Sequence, residues 1–319
     1  MKKSLTEHFS TKQTSPMLLI KLLQFSLAVL LTSVSSLSIA SERSPILFTS
    51  QTLYDKITHS SQRLFIIDVR PQEAYLKGHI PNAINLPVSL FDRSIEGINK
   101  FIISPLQFQA LVEQAGITSK DHLVIYSGDK LLFATRVFWA FEFYGHQHVS
   151  LLDGGYPAWK QAQLPTENEP QSLVHSRYTI ELQPQRFASK FNTLMATKMS
   201  NTLIIDARPP EEFQGIKTKG KRLGHIPKAQ NLAWQEFTLK PPTSLKEAAL
   251  SQFISRSQIQ KKLSILPEKE HIIIYCNGGK ESSIIYFGYR LIGKDVSIYD
   301  GSWNEWSADH SLPIIQPNL

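Results

Sequence analysis

The sequence contains almost no cysteine: Cys276 is the only one among 319 residues. A lone thiol excludes an internal disulfide. Low-complexity tracts are absent as well, and a hydrophobic content of 42% is typical of a globular chain of about two domains. The formal charge is +7, but no face combines many lysines and arginines with interleaved aromatic residues. A nucleic-acid partner is therefore not predicted.

The first 40 residues have the composition of a signal peptide. Four lysines and one glutamate give them a net charge of +3, which leaves +4 for the rest of the chain (7 − 3). An apolar run ends in Ser38-Ile39-Ala40, with small residues at the two positions that signal peptidase reads. The sequence thus predicts export to the periplasm of a bacterial envelope, with Met17 as a second candidate start. The alternative is an uncleaved signal that acts as a membrane anchor.

The rest of the sequence alternates short apolar strands with helices, and the same series occurs twice. Asp68-Val69-Arg70 returns as Asp206-Ala207-Arg208, Gly78-His79-Ile80-Pro81 as Gly224-His225-Ile226-Pro227, and Asp153-Gly154 as Asp300-Gly301. This pattern predicts a duplicated α/β domain, each copy a mainly parallel sheet with helices on both faces. We expect the signal peptide over residues 1–40, a first domain over 41–170 and a second over 171–319. Ligands of such sheets bind beyond the carboxyl ends of the strands.

The single cysteine lies at such a strand end. Residues 272–275 predict a buried strand that ends at Cys276, and residues 282–291 predict a helix. The free N–H groups and the dipole of a helix N-terminus favour a thiolate, as do a curled glycine loop and a nearby lysine. We therefore expect a lowered pKa for Cys276. The alternative is an unreactive cysteine buried in the core. The predicted binding loop consists of Asn277, Gly278, Gly279, Lys280, Glu281 and Ser282.

These motifs resemble the rhodanese sulfurtransferase family in its tandem-domain form, over nearly all of the chain after residue 40. The most specific of them spans residues 296–306. The resemblance implies two packed rhodanese domains and no metal or organic cofactor. It implies that Cys276 takes the outer sulfur of a donor as a persulfide and passes it to cyanide, a thiol or a protein cysteine. Because Ser127 stands where the second copy has Cys276, the first domain is expected to be catalytically silent.

Five further residues of the second copy are candidates for supporting the site. They are Asp206, Arg208, Glu212, Lys219 and Arg222. The first two recur in the silent copy as Asp68 and Arg70, and His225 likewise recurs as His79, which favours structural roles for all three. Lys219 and Arg222 belong to a basic run, residues 217–222, in an eight-residue insertion. The run is either a solvated loop or an anion-attracting rim of the site.

Two departures from the family limit the prediction of the donor. The well-known thiosulfate and mercaptopyruvate enzymes resemble one another in an arginine before an aromatic residue, where this chain has Glu212 before Phe213. The loop after Cys276 is neutral over three residues, whereas the thiosulfate type is more basic there. Thiosulfate remains the favoured small anionic donor, with 3-mercaptopyruvate as the second choice.

Alternative functions give different expectations for Cys276. An exported binding module, or a sulfur carrier fed by a partner protein, would use the same fold, and persulfide formation on Cys276 separates an enzyme from a pure binding module. A phosphatase or arsenate reductase is disfavoured, because its loop ends in an arginine where this chain has Glu281 and Ser282. His146 and His148 lack a third ligand and are a weak sign of a metal. Tandem members of this size are often monomers, which is the expectation here.

Overall fold

Residues 45–59, 64–239 and 252–316 are described by the structure, a computed structural model of the chain. The predicted signal peptide lies outside these residues. The strands are β1 (Leu47–Phe48), β2 (Leu64–Asp68), β3 (Ala83–Asn85), β4 (Asp92–Ile95), β5 (Ile98–Ile102), β6 (His122–Tyr126), β7 (Val149–Leu152), β8 (Phe187–Ala188), β9 (Thr202–Asp206), β10 (Ala229–Asn231), β11 (His271–Tyr275) and β12 (Ser297–Tyr299). The helices are α1 (Ser50–His59), α2 (Gln72–Leu76), α3 (Pro105–Gln114), α4 (Leu131–Phe143), α5 (Gly155–Gln161), α6 (Lys190–Ala196), α7 (Pro210–Phe213), α8 (Arg256–Leu263), α9 (Ser282–Leu291) and α10 (Ser302–Ala308). Short 3₁₀ turns span Val88–Phe91, Pro184–Arg186 and Trp234–Phe237.

The strands form two five-stranded sheets of the same design. The first has the order β1-β7-β6-β2-β3 and the second the order β10-β9-β11-β12-β8, which is the same arrangement read in the opposite direction. All pairs within both sheets are parallel. The predicted α/β duplication is thereby confirmed, with β6 and β11 at the centre of their sheets.

Helix starts repeat between the two copies for a local reason. Ser104 caps α3 and Ser255 caps α8, each with a reciprocal hydrogen-bond pair to the glutamine three residues later. Such a capping box satisfies two backbone N–H groups that would otherwise lack partners. The equivalent helices therefore begin at equivalent places relative to the sheets.

Helices α4 and α9 join the two sheets into one continuous core. Phe138 of α4 and Phe287 of α9 meet edge to face, with ring centroids 4.8 Å apart. Thr135 and Ser283 share a hydrogen bond of 2.7 Å between their hydroxyl groups, and Tyr286 donates one of 2.6 Å to Glu142. The helix that follows Cys276 is thus fixed directly against the first domain.

Strands β4 and β5 form an antiparallel hairpin that the sequence did not predict. The Ile102 N–H of this hairpin donates a 2.7 Å hydrogen bond to Asp300 Oδ2, at the end of β12 in the other sheet. The reverse contact joins the Phe253 N–H to Asp153 Oδ1 at 3.0 Å. In each domain a backbone N–H therefore donates a hydrogen bond to the aspartate that follows a strand of the other domain.

Candidate active site

Cys276 follows the last residue of β11, the central strand of the second sheet, and none of its surface is exposed. Its backbone is held from two directions. The Cys276 N–H donates to Ser302 Oγ at 3.2 Å, and its carbonyl accepts a 2.9 Å hydrogen bond from the Trp303 N–H. The predicted placement between a buried strand and the start of α9 at Ser282 is confirmed. The first two residues of α10 thus hold the backbone of Cys276 in place.

The pKa of the Cys276 thiol differs in direction from the sequence-based expectation. Burial is the main cause that raises this pKa above its ordinary value, and the carboxylate of Glu281 raises it further. The N–H groups of Ser282 and Gly278 act in the opposite direction and lower this pKa, because they point toward the sulfur. The expectation of a net lowered pKa is wrong, since the helix terminus does not outweigh desolvation and a nearby negative charge.

The carboxylates of Glu212 and Glu281 both contact Asn277 and Lys219. We call these four residues the Glu212–Glu281 cluster. Asn277 Nδ2 donates to Glu212 Oε2 at 2.8 Å and to Glu281 Oε2 at 3.3 Å. Lys219 Nζ lies 3.3 Å from Glu212 Oε1 and 3.6 Å from Glu281 Oε1. One ammonium thus compensates two carboxylates, so the cluster carries a net negative charge beside the loop.

Asp206 and Arg208 support the strand ends and do not face the loop as free charges. Arg208 Nε and Nη2 contact both oxygens of Asp206, and Nη2 also donates to the Gly224 carbonyl at 2.9 Å. Tyr275 OH donates to Asp206 Oδ2 at 2.5 Å. Asp68 and Arg70 form the same arrangement in the first domain. These contacts agree with the structural interpretation of the pair.

The basic run at residues 217–222 does not form a free cationic rim. Arg222 donates to four backbone carbonyls around the end of α10, those of Trp306, Ser307, Asp309 and Leu312. Lys217 pairs with Glu211, and Lys219 belongs to the Glu212–Glu281 cluster. These contacts do not fit the alternative in which Arg222 attracts anions at a rim of the site. Its guanidinium binds carbonyl groups at the C-terminal end of α10, where a positive charge interacts favourably with the helix dipole.

Lys280 also has a different role from the one expected. Its Nζ lies 2.5 Å from Asp92 Oδ2 in the β4–β5 hairpin. The positive charge that was expected to favour the Cys276 thiolate is thus compensated by a carboxylate of the first domain. Asn277 turns its amide to Glu212, so the loop side chains serve mainly to position the loop.

The first domain supplies site residues that the sequence analysis missed. Arg136 of α4 is fully buried, and its Nη2 lies 2.8 Å from Asp300 Oδ1. The same side chain donates to the Lys100 carbonyl at 2.9 Å and to the Gly279 carbonyl at 3.4 Å. An arginine in the middle of the mostly apolar helix α4 was the available signal, because buried charges require partners.

The silent copy has a smaller loop at the position of the active-site loop. Helix α4 begins four residues after Ser127 (131 − 127), whereas α9 begins six residues after Cys276 (282 − 276). The Ser127 carbonyl accepts a hydrogen bond from the Tyr156 N–H. The first domain therefore lacks the thiol and also two residues of the loop that would surround it.

The sequence matches the family described as Rhodanese-like domain twice, over residues 49–162 and 188–309. The chain belongs to this family. The protein named "Putative thiosulfate sulfurtransferase" of Synechococcus elongatus is 33% identical over 278 residues, which cover 80% of this chain and 81% of that protein. The 3-mercaptopyruvate sulfurtransferase of Escherichia coli is 26% identical over 246 residues, which cover 76% and 85%. At the family level this rhodanese-like chain is an enzyme, a sulfurtransferase of the thiosulfate and 3-mercaptopyruvate type.

Solved structures share the rhodanese fold with this chain. The crystal structure of SseA from Escherichia coli, described as a 3-mercaptopyruvate sulfotransferase, has a TM-score of 0.70 at 23% identity, covering 81% of this chain and 99% of SseA. The anaerobic ergothioneine biosynthesis enzyme from Chlorobium limicola has a TM-score of 0.73 at 21% identity, covering 87% and 72%. Similarities at these identities show the fold alone.

The described residues offer neither a metal site nor a membrane-spanning helix. Between residues 45 and 316, outside the two undescribed gaps, no three side chains of His, Cys, Asp or Glu are grouped so that they could hold a metal ion. In the same part of the chain no helix has the length and apolar character needed to cross a bilayer.

Proposed function

We propose that this rhodanese-like chain moves a sulfane sulfur from a small anionic donor to a thiol or cyanide through a persulfide on Cys276. Thiosulfate is the favoured donor and 3-mercaptopyruvate the second. The observation that carries the proposal is the cysteine itself, at the end of β11 with N–H groups of Gly278 and Ser282 directed at its sulfur. The first domain holds Ser127 at the matching position and acts as a support.

The first half-reaction is a displacement at sulfur. The Cys276 thiolate attacks the outer sulfur of thiosulfate, a new S–S bond forms, and the S–S bond of thiosulfate breaks. Sulfite leaves with the electron pair. The persulfide anion that remains carries its charge on the outer sulfur, bonded to the Cys276 sulfur toward which the N–H groups of Gly278 and Ser282 point.

The second half-reaction returns the enzyme to its initial state. A cyanide carbon or an acceptor thiolate attacks the outer sulfur of the persulfide, and the S–S bond on Cys276 breaks with its electron pair returning to the cysteine. Because the donor product leaves before the acceptor reacts, the two substrates follow ping-pong kinetics. Because burial and the Glu281 carboxylate raise the pKa of Cys276, forming the reactive thiolate costs free energy before the first half-reaction.

A partner-fed sulfur carrier is the second candidate. The net negative charge of the Glu212–Glu281 cluster favours it, since carboxylates repel a free dianion. In that case a partner protein would present the sulfur at the loop, and the retained Cys276 would still form the persulfide.

We further propose that residues 1–40 direct export to the periplasm and are then removed. The support is the basic and apolar pattern of these residues with its small-residue end. We propose domain limits of 41–170 and 171–319, and a monomeric chain. N-terminal sequencing of the protein from the envelope fraction tests export and cleavage, and size-exclusion light scattering tests the monomeric state.

Steady-state kinetics test the proposed reaction. Thiocyanate formation from thiosulfate and cyanide should give parallel double-reciprocal lines, and Cys276→Ser should have no activity. Intersecting lines would contradict a free persulfide enzyme. Activity that survives in Cys276→Ser would contradict the role of the thiol.

A further inference from the structure

We propose that Lys100, a residue of the catalytically silent first domain, binds the anionic end of the sulfur donor at the mouth of the Cys276 site. This inference rests on the proposed function. It assigns part of the donor specificity to the domain that has no nucleophile. The Lys100 side chain lies against Gly278 and, among the described residues, has no carboxylate partner.

Lys100 is placed by two fixed contacts. Its carbonyl accepts a 2.9 Å hydrogen bond from Arg136 Nη2, and two residues later the Ile102 N–H donates to Asp300 at 2.7 Å. Its backbone has a φ of +78°, in the left-handed region. The hairpin is therefore anchored to Arg136 at Lys100 itself and to the second domain two residues later, at Ile102.

The stem of the side chain covers the active-site loop. A Cβ built on Gly278 would lie 3.2 Å from Lys100 Cδ and 3.6 Å from Lys100 Cβ. Gly278 is two residues after Cys276, and its N–H is directed at the sulfur. The lysine side chain thus packs against the loop two residues after the thiol, and Lys100 is an exposed residue, so its ammonium group is accessible to solvent.

The other cations that contact the loop are already compensated. Arg136 pairs with Asp300, Lys280 with Asp92, and Lys219 with two glutamates. Within the described part of the chain, Lys100 forms no ion pair or hydrogen bond through its ammonium. The nearby Glu212–Glu281 cluster is net negative. An anionic donor therefore gains from a cation at the mouth, and Lys100 lies against the loop without a carboxylate partner among the described residues.

The test compares donors of different charge in single-turnover persulfide formation. Thiosulfate carries two negative charges and benzenethiosulfonate one, and in both the outer sulfur moves to Cys276 while sulfite or benzenesulfinate leaves with the electron pair. Loss of one cation about 6 Å from the donor in a water-like medium predicts about a tenfold slower reaction with the dianion and about threefold with the monoanion. Lys100→Met should show these losses and Lys100→Arg should restore the rate.

Matched controls separate charge from structure. Lys100, Met and Arg are all unbranched, so the hairpin conformation is the same in each variant. Lys120→Met removes an exposed lysine of the same domain at the opposite end of the sheet, before β6, and should leave both rates unchanged. Alkylation of Cys276 by uncharged iodoacetamide should be the same in every variant.

Three results would overturn the inference. Equal losses with both donors and with iodoacetamide would mean that Lys100 acts on the loop structure. Unchanged rates in Lys100→Met would mean that it does not contact the donor. If the unmodified protein takes sulfur from neither donor, the proposed function is wrong and this inference falls with it, whereas a normal wild-type rate with no effect of Lys100→Met overturns the inference alone.

Discussion

Arg136 Nη2 in the first domain lies 2.8 Å from Asp300 Oδ1 in the second, and both side chains are buried. The same guanidinium donates to the carbonyls of Gly279 in the active-site loop and of Lys100 in the β4–β5 hairpin. One side chain of the first domain therefore joins the loop, the hairpin and the residue after a strand of the second domain. Its contacts hold the active-site loop against the first domain.

Removal of Arg136 should strongly destabilise the fold. Arg136→Met leaves the Asp300 carboxylate buried without its cation, which typically costs about 3–5 kcal/mol. Urea unfolding measures this loss. The double variant Arg136→Met with Asp300→Asn should recover part of it, because the lone charge is gone and an amide oxygen still accepts the Ile102 N–H. A single variant as stable as wild type would show that the ion pair does not stabilise the domain interface.

Gly279 and Gly293 offer a matched pair of glycines. Both have positive φ, +77° and +79°. A Cβ on Gly279 would lie 2.6 Å from Arg136 Nη1, whereas nothing lies within 4 Å of one on Gly293. Gly293→Ala should cost about 1–2 kcal/mol from backbone strain alone, and Gly279→Ala about 1–3 kcal/mol more from overpacking.

Urea unfolding gives the stability of both variants, and single-turnover sulfur uptake gives the state of the loop. Only Gly279→Ala should slow uptake, because only it displaces Arg136. Equal stabilities and equal rates for the two variants would contradict the close approach of Arg136 to the loop.

Glu281→Gln should lower the pKa of Cys276. The Glu281 carboxylate raises this pKa, so its neutralisation makes the thiolate less unfavourable and moves the titration to lower pH. Iodoacetamide alkylation against pH measures the change: several-fold faster at pH 7, with the difference vanishing once both thiols are ionised. Glu211→Gln, which removes an exposed carboxylate paired only with Lys217, should leave the profile unchanged. A pKa that stays or rises in Glu281→Gln would be inconsistent with the described charge arrangement.

Much of the fold could be predicted because its signals are local. Residues 272–275 read as a buried strand ending at Cys276, and α9 begins at Ser282 and ends at Leu291, as predicted. The Asp206–Arg208 pair was interpretable because Asp68 and Arg70 repeat it without a cysteine nearby. The β4–β5 hairpin was missed because its strands, which include Arg93, Ser94, Asn99 and Lys100, are too polar to give an apolar run.

The site chemistry depends on contacts that local patterns do not encode. Arg136 and Asp300 form an ion pair although they are 164 residues apart (300 − 136). Lys280 contacts Asp92 only once the two domains are packed together. The direction of the Cys276 pKa shift likewise depends on tertiary contacts. The helix terminus was visible in the sequence, but the burial and the Glu281 charge that outweigh it arise from tertiary packing.

The most direct test of the central claim is the intact mass of the purified protein after excess thiosulfate and then after cyanide. We predict a gain of one sulfur, about 32 Da, that cyanide removes and that Cys276→Ser does not show. The same gain in Cys276→Ser, or no gain in wild type with either thiosulfate or 3-mercaptopyruvate, would contradict sulfur transfer from these donors through this thiol.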